Sequence, residues 1–527
     1  MLKAKIDSIR GNKLLWVSVA CFLLLGIAFQ MHTLGPLVIP AMSGMWWVFQ
    51  QYRTANFRKI LWFSSLIYFG LSWSWLLFMD PSGWSPLTGI TAKLFVIFVW
   101  LIVTLIMSVP FYYMIKLWSY TRTKSKSSYI HSILLFIGLW ILQELARSYF
   151  FAFVMWGGGS SLEPHWNFGV LGIAITSIPS VPPLSSTIGM YGLTSIAILI
   201  GITIHSLLSK NTHAVKLLSV VVVIFIAGHS LNAAYNNPAG ESISITAINT
   251  SSSVINYTMY ESPNSSSNLI LLPEYSDIFD NRKNTEYASE RDDFLKATTV
   301  NNSLVITSRE TKSADNEAQN DLVYFTANGE IISEQHKTFL IPGGEYLPYW
   351  FEVFYSKISP SGLQEYNLSR KVVPGNFAES PTDTEFGAIG SYACSGVISP
   401  KLYRSMANQG AQVLTNSASL TIFDGAETYH QQTEGFSIFH AASNQKSFIQ
   451  STKMGKAYVI NADGKIQQRS GTAEDKLLHA DVELSNSKTA YTRFGELTIY
   501  FAGIYIIWTY VKVGRTVAPK VKKGGRK

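Results

Sequence analysis

Runs of about 20 mostly apolar residues recur along this 527-residue chain and constrain its fold more than any other feature. Because lipid offers the backbone no hydrogen-bond partner, such a run crosses a membrane as a helix. No small-residue cleavage site separates the first two runs, so we expect the first to be a span and not a cleaved signal peptide. Buried helices of a soluble protein fit poorly with so many runs in series. We therefore predict about eight spans, near residues 14–30, 34–50, 60–79, 94–117, 133–155, 186–208, 217–235 and 496–511.

Basic residues occur in alternate connections between these spans. The N-terminus, the second, fourth and sixth connections and the C-terminal tail contain Lys or Arg, whereas residues 31–33, 80–92 and 156–185 contain neither. Cytoplasmic connections of membrane proteins are enriched in these two residue types. We therefore predict that both termini are cytoplasmic, and that the chain is on the outer side of the membrane when it leaves the seventh span.

The composition changes near residue 238. Residues 238–488 resemble a soluble domain and hold 19 of the 42 basic and 29 of the 34 acidic residues, so the rest of the chain is strongly basic. The overall charge of +8 therefore comes from a basic membrane part and is no sign of nucleic-acid binding. We predict a seven-span domain at 1–237, an extracytoplasmic domain at 238–488, and a last span with a basic cytoplasmic tail at 489–527.

The soluble domain alternates β-rich runs with helix-compatible segments. Two alternating strands surround Asn328-Gly329, which is a strong hairpin signal. Strands separated by helices indicate stacked α and β layers. The other predicted strands are "NLILLPE" (268–274), "SLVITS" (303–308), "AIGSYACSG" (388–396), "AQVLTNS" (411–417) and two within 446–468.

Three of these strands end at a chemically reactive side chain: Glu274, Lys337 and Cys394. Functional residues of layered α/β domains gather at strand ends. Each residue alone has an ordinary explanation, as a solvated strand end, a surface lysine or a buried small side chain. Together they form a coherent set, because a carboxylate accepts a thiol proton and an ammonium stabilises both a thiolate and an oxyanion. The set predicts acyl transfer through a thioester.

Other chemistries find little support in the sequence. The domain's histidines, at positions 336, 430, 440 and 479, lack the spacing of a metal site, so we predict no metal and no cofactor. Cys394 is the only cysteine of the domain, and Cys21 lies in the first span, which excludes a stabilising disulfide within the domain. No nucleotide-binding or nucleophile-elbow motif occurs in a suitable context.

Three segments resemble the signature sites of the nitrilase superfamily, in order: "LLPE", "HKTFLIPGGEYLP" and "YAC". That superfamily uses a Glu-Lys-Cys triad in an α-β-β-α sandwich. Nearly end to end, the chain is similar to the apolipoprotein N-acyltransferase family of bacterial membrane enzymes. The fragments "QELARSYFF", "WGGGSS", "IGMYGLTSIAILI", "GAQVLTN" and "YTRFGE" carry this wider resemblance.

The resemblance implies a role for each site residue. Glu274 is expected to be the general base, Lys337 the partner of the thiolate and oxyanion, and Cys394 the nucleophile, with Glu345 supporting the triad. The implied reaction moves an acyl chain from a phospholipid to Cys394 and then to the α-amine of a lipoprotein's N-terminal diacylglyceryl-cysteine. The expected setting is the bacterial cytoplasmic membrane, with a monomer that uses no cofactor and binds no nucleic acid.

The chain departs from the family where Cys394-Ser395-Gly396 replaces the usual Cys-Tyr-Glu. Two alternatives therefore stay open. One is a membrane-anchored amidase of the nitrilase type. The other is a weakly active or non-catalytic paralogue that acts as a membrane assembly protein.

Three further features of the sequence lead to separate predictions. Residues 156–185 are rich in Gly and Pro, and we predict a re-entrant or interfacial segment beneath the soluble domain. Glu144 and Arg147 lie three apart in the fifth span, and we prefer a structural ion pair to a substrate contact. For the aromatic run "YLPYWFEVFY" (346–355) we weigh a core segment, a membrane-dipping edge and a mobile lid, and slightly favour the lid.

Overall fold

A computed structural model describes most of the chain and all four predicted site residues. The basic tail beyond residue 517 and most of the Ser/Asn-rich stretch 249–268 lie outside the described part. The described residues are 2–81, 87–124, 128–235, 241–252, 267–276, 288–300, 302–313, 316–375, 380–423, 425–472 and 474–517.

Every predicted span falls on a helix, and the helices differ in length. Among the described residues, four helices are long and apolar enough to cross a membrane: Gly89–Lys124, Tyr129–Val154, Pro182–Leu208 and Ala214–Leu231. Two of the other predicted spans fall on the shorter apolar segments Gly11–Ile27 and Leu497–Val513, and two fall on the helices Val38–Gln50 and Phe57–Ser72. The described residues therefore show four candidate spans where the sequence predicts eight. The helices of this region are α1 (Leu2–Ile27), α2 (Val38–Gln50), α3 (Phe57–Ser72), α4 (Gly89–Lys124), α5 (Tyr129–Val154), α6 (Leu171–Ala174), α7 (Ser185–Leu208), α8 (Ala214–Tyr235) and, near the C-terminus, α15 (Leu497–Val517).

Aromatic side chains fill the space between these helices. Trp46 of α2 packs edge-on against Trp118 of α4 and Phe136 of α5, and Phe49 joins the same cluster. Edge-to-face packing of such rings adds roughly 0.5–1.5 kcal/mol per pair beyond the burial of their area. The helices therefore form one packed unit with a continuous aromatic core.

The soluble domain contains a sheet of twelve strands, in the order β5-β4-β3-β2-β1-β9-β8-β7-β6, with β10 and β11 beside β9 and β12 beside β1. The predicted hairpin is confirmed as β4 and β5, which pair antiparallel around Asn328-Gly329. The strands are β1 (Ser242–Thr250), β2 (Leu269–Leu271), β3 (Leu304–Lys312), β4 (Ala318–Phe325), β5 (Ile331–His336), β6 (Thr382–Thr384), β7 (Gly387–Ala393), β8 (Val413–Ser419), β9 (Ser447–Lys453), β10 (Tyr458–Ile460), β11 (Ile466–Arg469) and β12 (Lys476–Glu483).

The two halves of this sheet face each other across an apolar core. Tyr324 of β4 donates a hydrogen bond to Ser391 Oγ of β7 (2.6 Å), and side chains of both halves share one buried cluster. Helix α9 packs on the outer face of the β1–β4 half, and α12 and α13 pack on the outer face of the β7–β9 half. The arrangement is the predicted α-β-β-α layering, with one hydrogen-bonded sheet supplying both β layers. The domain's helices are α9 (Ala288–Val300), α10 (Tyr349–Ile358), α11 (Pro360–Ser369), α12 (Pro400–Asn408), α13 (Glu427–Asn444) and, leading into α15, α14 (Ala490–Phe494).

Residues 156–185 lie between the helical region and α13. The segment contains only short helical turns, with α6 as its one α-helix, and most of its side chains are buried. Gln432 connects α13 with this segment and with α3. Its Oε1 accepts from the Gly169 N–H (3.0 Å), and its Nε2 donates to the Ser72 carbonyl (2.9 Å). This location agrees with the predicted non-spanning segment beneath the domain.

The buried pair Glu144 and Arg147 holds this segment in place. Their closest charged atoms are 4.0 Å apart. Glu144 accepts from the Leu171 N–H (3.0 Å) and from Thr194 Oγ1 (2.8 Å), and Arg147 donates to the Gly169 carbonyl (3.0 Å). These bonds satisfy backbone groups that lipid cannot satisfy. The geometry favours the structural interpretation over a substrate contact.

A glycine substitution in α7 tests this packing. A Cβ on Gly201 would lie 2.8 Å from both Met42 Cβ and the Ser43 nitrogen of α2, whereas a Cβ on Gly503 of α15 meets nothing within 4 Å. We expect Gly201→Leu to destabilise the protein by about 1–3 kcal/mol, because the helices must separate. Thermal unfolding in detergent, followed by tryptophan fluorescence, measures the effect. Gly503→Leu is the control, and equal melting shifts for the two variants would contradict the interpretation.

Candidate active site

Glu274 stands just after β2, at a sharp change of chain direction. The following residue, Tyr275, has φ of 57°, and its N–H donates to Ser308 Oγ (2.7 Å), which fixes the turn. The Glu274 side chain is buried. Its Oε1 accepts from Asn320 Nδ2 (2.6 Å) and its Oε2 accepts from the Ser419 N–H (3.2 Å). The carboxylate is therefore held from two sides by protein donors.

Lys337 follows β5 directly, and its ammonium lies between two carboxylates. Nζ is 3.0 Å from Glu274 Oε1 and 2.7 Å from Glu345 Oε1. Its backbone N–H donates to the Asn320 carbonyl (2.7 Å). Asn320 of β4 therefore positions Lys337 through its carbonyl and Glu274 through its side-chain amide. The structure thus brings Glu274, Lys337 and Glu345 into one buried ion cluster.

Glu345 reaches this cluster from a tight loop. Gly343, with φ of 85°, lets the chain reverse, and the Gly343 N–H donates to the Tyr346 carbonyl (2.7 Å). Glu345 Oε2 accepts from the Ile341 N–H (2.9 Å), so the carboxylate closes its own loop as well as contacting Lys337.

Cys394 stands where β7 ends and a short 3-10 helix begins. Its φ is 44°, a left-handed conformation that is uncommon for a residue with a side chain and is typical of functional sites. Sγ lies 3.6 Å from the Ser419 carbonyl, and the adjacent Ser419 N–H is bound to Glu274. Ser419, at the end of β8, therefore connects the thiol with the carboxylate.

The two residues after the thiol have defined structural partners. Ser395 Oγ donates to the Phe339 carbonyl (2.6 Å), which ties the thiol's turn to the loop after Lys337. A Cβ on Gly396 would lie 2.8 Å from Tyr392 Cβ, a distance that side chains do not reach. Ser395 and Gly396, which replace the Tyr and Glu of the family pattern, therefore fit the local backbone.

Charge and burial set the ionisation of the cluster. Burial, together with the Glu274 carboxylate, raises the pKa of the Cys394 thiol, and Lys337 opposes this shift only in part. Burial alone lowers the pKa of Lys337, but the carboxylates of Glu274 and Glu345 outweigh it and raise that pKa. Burial raises the pKa of Glu345. The resting site therefore holds a neutral thiol beside a permanent ammonium, and the thiol needs a base to become a nucleophile.

An apolar cavity of about 550 Å³ opens beside Ser395, the residue that follows the thiol. Ser395 and Tyr429 belong to its wall, and the opposite wall comes from α4, α5 and the turn after α3. Helix α10, which contains most of the aromatic run 346–355, covers one side through Trp350, Phe351 and Phe354. Within that run Tyr346 and Leu347 are buried, whereas α10 contains no buried residue, so the run as a whole is not a core segment. The mobile lid stays a prediction.

Two contacts of the site were not predicted from the sequence. Asn320 donates to the Glu274 carboxylate, and Ser419 connects it with Cys394. Asn320 lies one residue before the predicted hairpin at 321–337, and Ser419 lies two residues after the predicted strand at 411–417, although the observed strands β4 and β8 include them. Both residue types also occur commonly in loops. Only the pairing of β8 with β7 and of β4 with its neighbours brings them to the site.

Residues 251–491 match the family model of the carbon-nitrogen hydrolases. The chain carries a carbon-nitrogen hydrolase domain. This domain is distantly related to apolipoprotein N-acyltransferases. The chain is 22% identical over 169 residues to one from Geobacter metallireducens, and 23% identical over 195 residues to one from Synechocystis. These matches cover 32% and 36% of this chain and span only about a third of each relative, 31% and 36%.

Solved carbon-nitrogen hydrolases are similar to about half of the chain. A carbon-nitrogen hydrolase from Helicobacter pylori is 19% identical, and the match covers 49% of this chain and 95% of that one with a TM-score of 0.35. An amidase from Nesterenkonia is 15% identical, with 49% and 95% covered and a TM-score of 0.34.

The raised thiol pKa predicts how Cys394 reacts with iodoacetamide. Because only the thiolate reacts, the alkylation rate should rise about tenfold per pH unit from pH 7 to 9, without a plateau. Mass spectrometry of the Cys394 peptide measures the rate in a Cys21→Ala variant, where Cys394 is the only thiol. A plateau below pH 8 would show a lowered pKa and contradict this electrostatic interpretation.

Proposed function

We propose that this protein is a phospholipid-dependent N-acyltransferase that acylates the N-terminal diacylglyceryl-cysteine of bacterial lipoproteins. The observation that carries the proposal is the position of the apolar cavity. It is lined on one side by Ser395, the residue next to Cys394, and on the other by the apolar helices α4 and α5. Its volume lies within the range of roughly 300–1,000 Å³ that is usual for small-ligand sites. A site for a small soluble amide would not need a long apolar wall supplied by such helices.

The first half-reaction transfers an acyl chain to the enzyme. Glu274 accepts the thiol proton of Cys394 while Sγ attacks the ester carbonyl of the phospholipid, and the Lys337 ammonium stabilises the resulting oxyanion. The carbon–oxygen bond then breaks, and the protonated Glu274 returns its proton to the departing alkoxide. The products are a thioester on Cys394 and a lysophospholipid.

The second half-reaction consumes the thioester. The α-amine of the diacylated lipoprotein attacks the thioester carbonyl, Glu274 takes a proton from the attacking nitrogen, and the carbon–sulfur bond breaks. The thiolate regains its proton from Glu274, so the enzyme returns to its starting state. Glu345 keeps the Lys337 ammonium in place through its 2.7 Å contact during both steps.

The membrane arrangement of the proposal follows the sequence prediction. Eight spans place both termini in the cytoplasm and residues 238–488 on the outer side of a bacterial cytoplasmic membrane, where both lipid-anchored substrates arrive by lateral diffusion. The exposed apolar side chains of α10, including Val353, Phe354 and Ile358, support contact with the outer leaflet.

Thiol labelling tests this orientation. In a Cys394→Ser, Cys21→Ala background, Leu368→Cys in α11 and Ala55→Cys between α2 and α3 both create exposed thiols. In cells with a permeable outer envelope, we expect a membrane-impermeant maleimide to label position 368 only. Position 55 should react after the cytoplasmic membrane is broken. Labelling of position 55 in sealed cells would contradict the topology.

The proposed activity predicts two successive products. Incubation of the purified protein with phospholipid should yield an acyl adduct on Cys394 by mass spectrometry, and a diacylated lipopeptide should then gain that acyl chain. Cys394→Ala should lose both products, whereas Cys21→Ala should keep both. A Cys394→Ala variant that still transfers acyl chains would refute the mechanism.

The same experiment separates the alternative functions. An adduct that is lost only to water would support the membrane-anchored amidase, which shares the thioester chemistry. Absence of any adduct in a folded preparation would support a non-catalytic assembly protein.

A further inference from the structure

Two lysines of helix α4 indicate where the hydrocarbon layer of a membrane begins and ends. Lys93 and Lys116 bracket residues 94–115, which contain no charged residue. At 1.5 Å per residue, the 23-residue separation of the two lysines is about 35 Å, close to the hydrocarbon thickness of about 30 Å. Lysines at the ends of a span extend their ammonium groups to the headgroup layer. Lys93 therefore marks the level of the lipid phosphates at one end of α4.

The apolar cavity lies at that same end. The α4 residues in its wall, among them Phe95, Val96 and Val103, begin two positions after Lys93. Lys93 and Val96 are three apart and so share a helix face, one turn of the helix separating them. A lipid whose phosphate lies level with Lys93 would therefore have its acyl chains beside the cavity.

Among the residues that the structure describes, Lys93 has no ion-pair partner. Its side chain is exposed, and no carboxylate of the described residues lies within the 4.0 Å ion-pair distance of its Nζ. In the described part of α4, Lys116 is the equivalent exposed lysine at the other end, far from the cavity. The side chains of a helix lean towards its N-terminus, which directs the Lys93 ammonium away from the hydrocarbon.

We propose that the Lys93 ammonium binds the phosphate of the donor phospholipid and makes the enzyme select phosphate-bearing lipids over uncharged ones. The inference rests on the proposed acyl transfer and adds a residue that selects the donor. Lys93 touches the phosphate and not the reacting ester, so it acts on donor binding. Its attraction is a charge-assisted hydrogen bond to a phosphate oxygen, reinforced by the positive N-terminal end of the 36-residue helix.

Two donors with identical acyl chains test the proposal in maltoside micelles: phosphatidylethanolamine and diacylglycerol. The readout is the initial rate of acyl-Cys394 formation by mass spectrometry. For wild type we expect a marked preference for the phospholipid. Lys93→Gln should raise the phospholipid KM about tenfold, with kcat and the diacylglycerol rate unchanged, because one charge-assisted bond is lost.

Matched variants distinguish charge from structure. Lys93→Arg should keep the phospholipid preference, and Lys116→Gln should behave as wild type because it lies at the opposite end of α4. A Lys93→Gln variant that keeps the wild-type preference would overturn the inference and leave the proposed function intact. So would equal use of both donors by wild type. Failure of wild type to form acyl-Cys394 with either donor would instead overturn the proposed function.

Discussion

The site depends on the buried ammonium of Lys337 between the carboxylates of Glu274 and Glu345. Removing each such charge from water costs several kcal/mol, and only close pairing with further hydrogen bonds offsets this. The structure supplies those bonds from Asn320 Nδ2 and from the backbone N–H groups of Ser419 and Ile341. Because each donor comes from a different segment, the charge cluster joins β4, β8 and the loop 341–346 around one point. Without the ammonium, two buried carboxylates would repel each other, at a cost of about 3–5 kcal/mol.

This electrostatic arrangement also explains why the site needs three residue types. A buried thiol beside a carboxylate stays protonated, so it resists oxidation and alkylation while no substrate is present. The same carboxylate is the group that can take the thiol proton when a carbonyl carbon comes within reach. Lys337 cannot supply a proton at neutral pH, because its two carboxylate partners raise its pKa. In the proposed reaction Lys337 therefore contributes charge, and the proton moves between Cys394 and Glu274.

Sequence patterns predict those features that depend on local order. Glu274, Lys337 and Cys394 each stand just after a strand, and strand ends in a layered domain meet at one edge, so their proximity follows from the pattern. The hairpin at Asn328-Gly329 has a strong turn signal for the same reason. Span count is harder to predict: α2 has 13 residues and α3 has 16, although apolar runs extend further in both cases, because turns interrupt the helix where polar side chains and glycine cluster. Asn320 and Ser419 carry no local signal, and only tertiary pairing gives them their roles.

No sequence pattern indicates the cavity, because its wall combines α4 with Ser395 and Tyr429, which lie about 290 to 330 positions later in the chain. The position of the cavity also bears on Ser395 and Gly396, the two residues after the thiol that differ from the family pattern. Ser395 commits its hydroxyl to the Phe339 carbonyl and so presents a small apolar surface to the cavity. Gly396 permits the close approach of Tyr392, which no larger residue would allow without movement. Under the proposed acyl transfer, a tyrosine at position 395 would reduce the space of the cavity that Ser395 lines. The departure from Cys-Tyr-Glu is therefore consistent with a retained nucleophile and a wider approach to it, and it offers no physical reason for loss of activity.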